Sequence, residues 1–162
     1  MSPTRVADAL DASGVAPPRR CLEVTETALI RDLSGSLRVL GQLRSLGVQL
    51  AIDDFGVGSS SLGNLARLPV MELKIDRSFT MDLGDEGARR VAELVVALGR
   101  ALGLEVVAEG IEMAEQEVFF QELGCRLGQG YHYARPLPAA ELATRLSSHA
   151  SWSSAGNLPA SA

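Results

Sequence analysis

The chain has 162 residues, with 15 Lys and Arg against 20 Asp and Glu, giving a formal net charge of −5. Its 46% apolar and 22% charged composition suits a globular chain with one core and excludes whole-chain disorder, collagen and coiled coil. The acidic balance argues against a basic face for a nucleic acid polymer. No apolar run reaches the roughly 18 to 20 residues of a membrane-spanning helix, and Met1-Ser2-Pro3-Thr4-Arg5 lacks the apolar stretch of a signal peptide. The sequence therefore predicts a soluble, cytoplasmic chain.

In chain order, Val6 to Ser13 reads as the last turns of a helix, followed by Gly14 and a Pro17-Pro18-Arg19-Arg20 turn. Short aliphatic runs then mark candidate strands at Cys21 to Thr25, Gln49 to Ile52, Glu72 to Ile75, Glu105 to Ala108 and, more weakly, Arg126 to Tyr133. Between them lie segments with apolar residues at helical spacing, such as Leu37, Leu40 and Leu43, or Val91, Leu94, Val95, Leu98 and Leu102. Three of these segments close with the same pair, Leu46-Gly47, Leu102-Gly103 and Leu123-Gly124, as expected where glycine ends a helix before the chain turns into a strand. Strands alternating with helices favour a parallel sheet, either an open doubly wound sheet or a (β/α) barrel. A further helix is predicted near Ala139 to Leu146, and the Ser/Ala-rich stretch from 147 to 162 is expected to be a disordered tail. Cys21 and Cys125 lack metal-ligand spacing and read as reduced thiols.

Alternation within the strands separates an aliphatic set (Leu22, Val24, Leu50, Ile52, Leu73, Ile75, Val106, Ala108) from a small or ionisable set (Glu23, Thr25, Ala51, Asp53, Lys74, Asp76, Val107, Glu109). A sheet covered by helices on both faces needs near-continuous apolar strands, whereas a barrel lumen tolerates polar groups near its C-terminal mouth. The pattern favours the barrel.

Strand ends carry Glu23, the pair Asp53-Asp54, Lys74 and Glu109, with the amide of Gln129 on the weakest strand. Successive separations of 30, 21, 35 and 20 residues approximate one βα unit each and bring these groups to a common rim. One acid at a strand end is more often a helix cap or surface charge; several on one strand parity point to chemistry. Carboxylates that share a mouth repel unless a cation lies among them, and an oxygen-only donor set suits magnesium, manganese or calcium. Adjacent Asp53 and Asp54 invite two ions about 3.5 to 4 Å apart, an arrangement that clamps a phosphate ester. Lys74 could orient the attacking water or the phosphate, or form a structural ion pair with Asp76. The Gly/Ser-rich segment Phe55 to Leu62 is either a phosphate-binding loop opening a helix or a tight βα connection.

At these residues the sequence resembles the EAL-domain family of cyclic di-GMP phosphodiesterases. Glu23-Val24-Thr25-Glu26, Asp53-Asp54-Phe55-Gly56-Val57-Gly58, Leu73-Lys74-Ile75-Asp76, Glu109-Gly110-Ile111-Glu112 and Gln129-Gly130-Tyr131 match successive family motifs in order. The resemblance implies a partial TIM-like (β/α) barrel of about five βα units in residues 1–146, the C-terminal part of such a domain. It implies two Mg²⁺ or Mn²⁺ ions and hydrolysis of cyclic di-GMP to linear pGpG. By position it makes Glu23, Asp53, Asp54 and Glu109 metal ligands and Lys74, Glu109 and Gln129 the catalytic groups. Glu26 would anchor the substrate-binding loop of Phe55, Gly56, Gly58 and Ser59. Val57 and Ser59 stand where the family loop usually has threonine and an aromatic residue. Nothing before Glu23 matches the family's first three strands with their glutamate motif, arginine and asparagine ligand, and a full barrel of this class has about 250 residues. The expectation is a chain that is weak or inactive alone, with its open edges closed by a homodimer or a complementing N-terminal segment. The alternative is a non-catalytic module that binds cyclic di-GMP or regulates.

Overall fold

The structure, a computed structural model, describes residues 2–58 and 62–148. Five strands, β1 (Cys21–Thr25), β2 (Gln49–Phe55), β3 (Glu72–Ile75), β4 (Glu105–Glu109) and β5 (Leu127–Gln129), form one sheet in the order β1-β2-β3-β4-β5. All four pairings are parallel. Each strand lies beside its predecessor, the winding of a barrel wall; a doubly wound sheet reverses its strand order at a switch point. The weakly signalled last strand is shorter than predicted because Gly130 begins a turn, where its carbonyl accepts from the Tyr133 and Ala134 amides.

Helices α1 (Pro3–Ser13), α2 (Glu26–Arg31), α3 (Leu33–Ser45), α4 (Leu62–Leu65), α5 (Arg77–Met81), α6 (Glu86–Leu102), α7 (Ala114–Glu122) and α8 (Ala139–Ser148) complete the described chain. Helix α1 starts earlier than predicted because Pro3 occupies its first turn, where a missing N–H costs nothing. Helix α8 continues two residues into the predicted tail, and the rest of that tail lies outside the described residues. No helix among the described residues is long and apolar enough to cross a membrane.

Helix α6 shows how sequence fixes an element. Asp85 caps it, its Oδ1 accepting from the Ala88 amide at 2.7 Å, and Gly103 closes it with φ 69°. It buries Ala92, Val95, Val96 and Gly99, and a Cβ on Gly99 would stand 2.2 Å from Val106 Cγ2, so glycine sets how closely α6 approaches β4. The other two Leu-Gly pairs end in the same conformation, with φ 87° at Gly47 and 83° at Gly124.

The predicted aliphatic set forms the core against the helices, with Leu50, Ile52, Leu73, Ile75, Val106 and Ala108 all buried. Each fully buried aliphatic side chain contributes about 1.5–3 kcal/mol relative to exposure. Of the opposite set, Ala51, Lys74 and Val107 are buried on the inner face. The core thus holds the sheet rigid while the inner face is left to carry polar groups at its C-terminal end.

Candidate functional site

The site forms where β2, β3 and β4 end. Pairing between β2 and β3 runs from Ile52 opposite Leu73 to Phe55 opposite Ile75, so Asp53 and Asp54 together face the single residue Lys74. This is a β-bulge, which inserts one extra residue and re-aims the side chains around it. Asp54 takes φ 54°, the left-handed region, and is the one non-glycine residue to do so among the described residues; aspartate is among the few residue types that tolerate it. Strict alternation would send adjacent side chains to opposite faces. With the bulge, ligand oxygens of Asp53, Asp54 and Glu109 all lie within 4.8 Å of one another.

Lys74 is 5% exposed, and its Nζ stands 2.5 Å from Glu109 Oε1, 2.7 Å from Glu23 Oε1 and 3.3 Å from Asp53 Oδ1. Burial pulls its ammonium pKa down, but hydrogen bonds to Glu109 and Glu23 and the charges of Glu109 and Asp53 overcome that and hold it above the ordinary lysine value. The Asp54 carboxyl is pushed up by desolvation and by the charges of Asp53 and Asp76. Asp76 does not pair with Lys74; it caps α5, its Oδ1 accepting from the Ser78 amide at 2.9 Å. That cap starts α5 three residues after Lys74.

Glu23 is tied to the group through Lys74 and stands outside the Asp53, Asp54 and Glu109 cluster. Gln129 lies opposite Glu109 in the β4–β5 register. Glu26 is 3% exposed, and its Oε2 accepts from the amides of Gly56 and Gly58, each at 3.2 Å, drawing the loop that follows Asp54 onto the start of α2. Phe55 is buried beneath that loop; Ser59 lies outside the described residues, and α4, which follows, is only four residues long.

Sequence reading passed over Gln116. This residue is 3% exposed at the third position of α7. Its Oε1 accepts from the amides of Glu112 and Met113 at 2.7 and 2.9 Å, and its Nε2 donates to the Thr80 carbonyl at 3.0 Å. The sequence carries only half of a capping box: Gln116, three residues past Met113, can reach back to the cap amide, but methionine at the cap offers no side-chain oxygen in return.

Asp53 Oδ1 is buried without a hydrogen bond, its approach to Lys74 being ionic contact alone. That ammonium is shared with Glu23 and Glu109, so one positive charge faces three carboxylates. Three convergent carboxylates with such an oxygen among them fit a hard divalent cation, and Asp53, Asp54 and Glu109 are the residues able to hold it.

Comparison with known proteins identifies the family and the fold. A family profile described as "EAL domain" matches residues 2–136. The chain is 46% identical over 138 residues to the cyclic di-GMP phosphodiesterase NbdA of Pseudomonas aeruginosa, covering 85% of this chain and 18% of that protein. Among solved structures, the PaMucR phosphodiesterase in complex with c-di-GMP superposes with TM-score 0.83 at 46% identity, covering 85% of this chain and 56% of that one. A manganese and cy-diGMP complex of Klebsiella pneumoniae BlrP1 gives TM-score 0.75 at 37% identity, covering 82% of this chain and 34% of that one. The chain therefore spans only part of the length of these relatives.

Proposed function

The chain belongs to the EAL-domain family, and from that premise we propose that it carries the acidic half of a metal-dependent site that hydrolyses cyclic di-GMP to linear pGpG. The observation that carries the reading is the convergence of Asp53, Asp54 and Glu109, with ligand oxygens within 4.8 Å of one another. Relatives described as cyclic di-GMP phosphodiesterases, and a related structure holding manganese with the dinucleotide, support it. In this reading Asp53, Asp54 and Glu109, with Glu23 beside them, hold two Mg²⁺ or Mn²⁺ ions. Ions held there would supply Lewis acidity, lowering the pKa of a water and offsetting charge on the phosphate oxygens. Lys74 orients the water through a donor that stays charged at neutral pH, and Gln129, across from Glu109, offers a further amide to it. Glu26, which holds the Gly56 and Gly58 amides, keeps that stretch of the loop against the substrate. The same reading gives the chain a cytoplasmic location, in keeping with its two free cysteines.

Strands β1 and β5 each have one strand partner among the described residues. Open edges invite pairing with another chain, so a second copy or a complementing N-terminal segment belongs to the proposal, and the chain alone is expected to be a weak catalyst. A monodisperse monomer in light scattering with one cooperative melting transition would argue against that partner.

The test follows cyclic di-GMP with Mn²⁺ and purified protein by chromatography. Slow formation of pGpG that Asp53→Asn abolishes supports the reading. Calorimetric binding of cyclic di-GMP without turnover assigns the chain to a non-catalytic binding module, and absence of both binding and Mn²⁺ stabilisation overturns the proposal.

A further inference from the structure

Three elements, α5, α7 and the turn after β5, meet on one short segment, Gly110 to Met113, directly after Glu109. Ile111 donates its amide to the Gln129 carbonyl at 3.1 Å and accepts from the His132 amide at 3.0 Å, which ties the segment to the turn after β5. Gln116 takes the next two amides on one oxygen, and its other end reaches the Thr80 carbonyl in α5, the helix that begins three residues after Lys74. Gly110, at φ 72°, packs so tightly on α5 that a Cβ there would stand 2.6 Å from Arg77 Cβ. The backbone leaving Glu109 is thereby fixed against the backbone leaving Lys74, and those two residues form the 2.5 Å ion pair at the floor of the acidic cluster.

We infer that Gln116 is a positioning residue: its side-chain amide clasps the loop after Glu109 to the helix after Lys74 and so sets the Glu109–Lys74 separation on which the cation site depends. Gln116 touches neither residue. Its two ends act on different jobs, since Oε1 caps α7 and Nε2 supplies the hydrogen bond that reaches across to α5, beside the Gly110–Arg77 packing. A glutamine that served only as a cap would need no donor, and glutamate caps as well at that position. The consequence for metal binding rests on the function proposed above; the effect on the ion pair does not.

The test uses Gln116→Glu, which keeps the oxygen acceptor for Glu112 and Met113 but turns an oxygen toward the Thr80 carbonyl, and Gln116→Met, which keeps the volume and loses both ends. The first readout is metal-free: the ¹H–¹⁵N signal of the Lys74 ammonium, held among three carboxylates, is expected to be resolved in the parent protein and broadened in Gln116→Glu. The second is Mn²⁺ affinity by calorimetry well below the melting midpoint, expected to fall about tenfold in both variants, as for other residues that orient ligands from outside the metal's own contacts. A cap role alone predicts that Gln116→Glu matches the parent in both readouts while Gln116→Met merely melts earlier, and that pattern overturns the inference. An unresolved Lys74 signal in the parent overturns it too. A parent protein that binds no Mn²⁺ defeats the proposed function alone, because the ammonium signal still decides whether Gln116 fixes the pair.

Discussion

The amide of Gly58 donates to Glu26 Oε2 at 3.2 Å across 32 residues of sequence, and a Cβ on Gly58 would stand 2.6 Å from Glu26 Oε1. Gly58→Ala therefore has to push the carboxylate away or release the loop. The expected result is a loss of about 1–3 kcal/mol in urea unfolding, with a smaller Mn²⁺-induced rise in melting temperature. An unchanged rise would show that the loop does not help hold the acids in place.

Asp54 combines a left-handed backbone with a carboxyl pushed up by desolvation and by its acidic neighbours. Asparagine tolerates the same backbone and carries no charge. Asp54→Asn should leave metal-free stability equal or higher, while Mn²⁺ no longer raises the melting temperature as it does in the parent. Thermal melts of both proteins with and without Mn²⁺ provide the check; equal metal shifts would remove Asp54 from the ligand set.

Lys74 pairs with Glu23, Asp53 and Glu109 at once, one positive charge shared among three acids. Lys74→Met leaves those acids uncompensated and is expected to cost about 3 kcal/mol, a loss that Mn²⁺ should partly restore. The pH dependence follows from the raised pKa of the folded lysine. Protons bind more tightly in the folded state, so the Lys74 contribution is fully present below the unfolded value of about 10.4 and is lost as pH rises through the higher folded value. The stability gap between parent and Lys74→Met should hold steady from neutral pH to about pH 10 and close only above it. Urea titrations along that range would reveal any earlier closure.

Although Cys21 is exposed, its thiol pKa is pushed up to about 11 by partial desolvation and the nearby charges of Glu72 and Glu23. Cys125 is buried and also raised, its thiol donating to the Val106 carbonyl at 3.1 Å. Because the thiolate is the reactive form, Ellman's reagent should react slowly with Cys21 at neutral pH and faster up to about pH 11, and with Cys125 only after unfolding. Rapid labelling at neutral pH would contradict the environment described for Cys21.

Strand positions and the division of faces were legible in the sequence because period-two alternation and the repeated Leu-Gly stop are local signals. Leu50 and Ile52 pack against helices and Lys74 faces inward because neighbouring side chains point opposite ways in any strand. Asp54 broke that rule. Its bulge depends on how β2 pairs with β3, a relation between segments that no window of β2 alone contains. Asp76 likewise obeyed the local grammar of helix caps in preference to strand parity. Gln116 was hidden for a related reason: two of its three partners lie on the adjacent loop, but the Thr80 carbonyl is 36 residues away.

The extra residue in β2 also constrains how this stretch can change over generations. Exchanges of one amino acid for another at Asp53 or Asp54 alter charge or strain and leave the strand in phase. Loss of a single codon between Ile52 and Phe55 would instead remove the extra residue, let β2 pair with β3 without interruption and leave one acid opposite Lys74 where the site uses two. Variation here should therefore be written in replacements, with the length of the segment held constant.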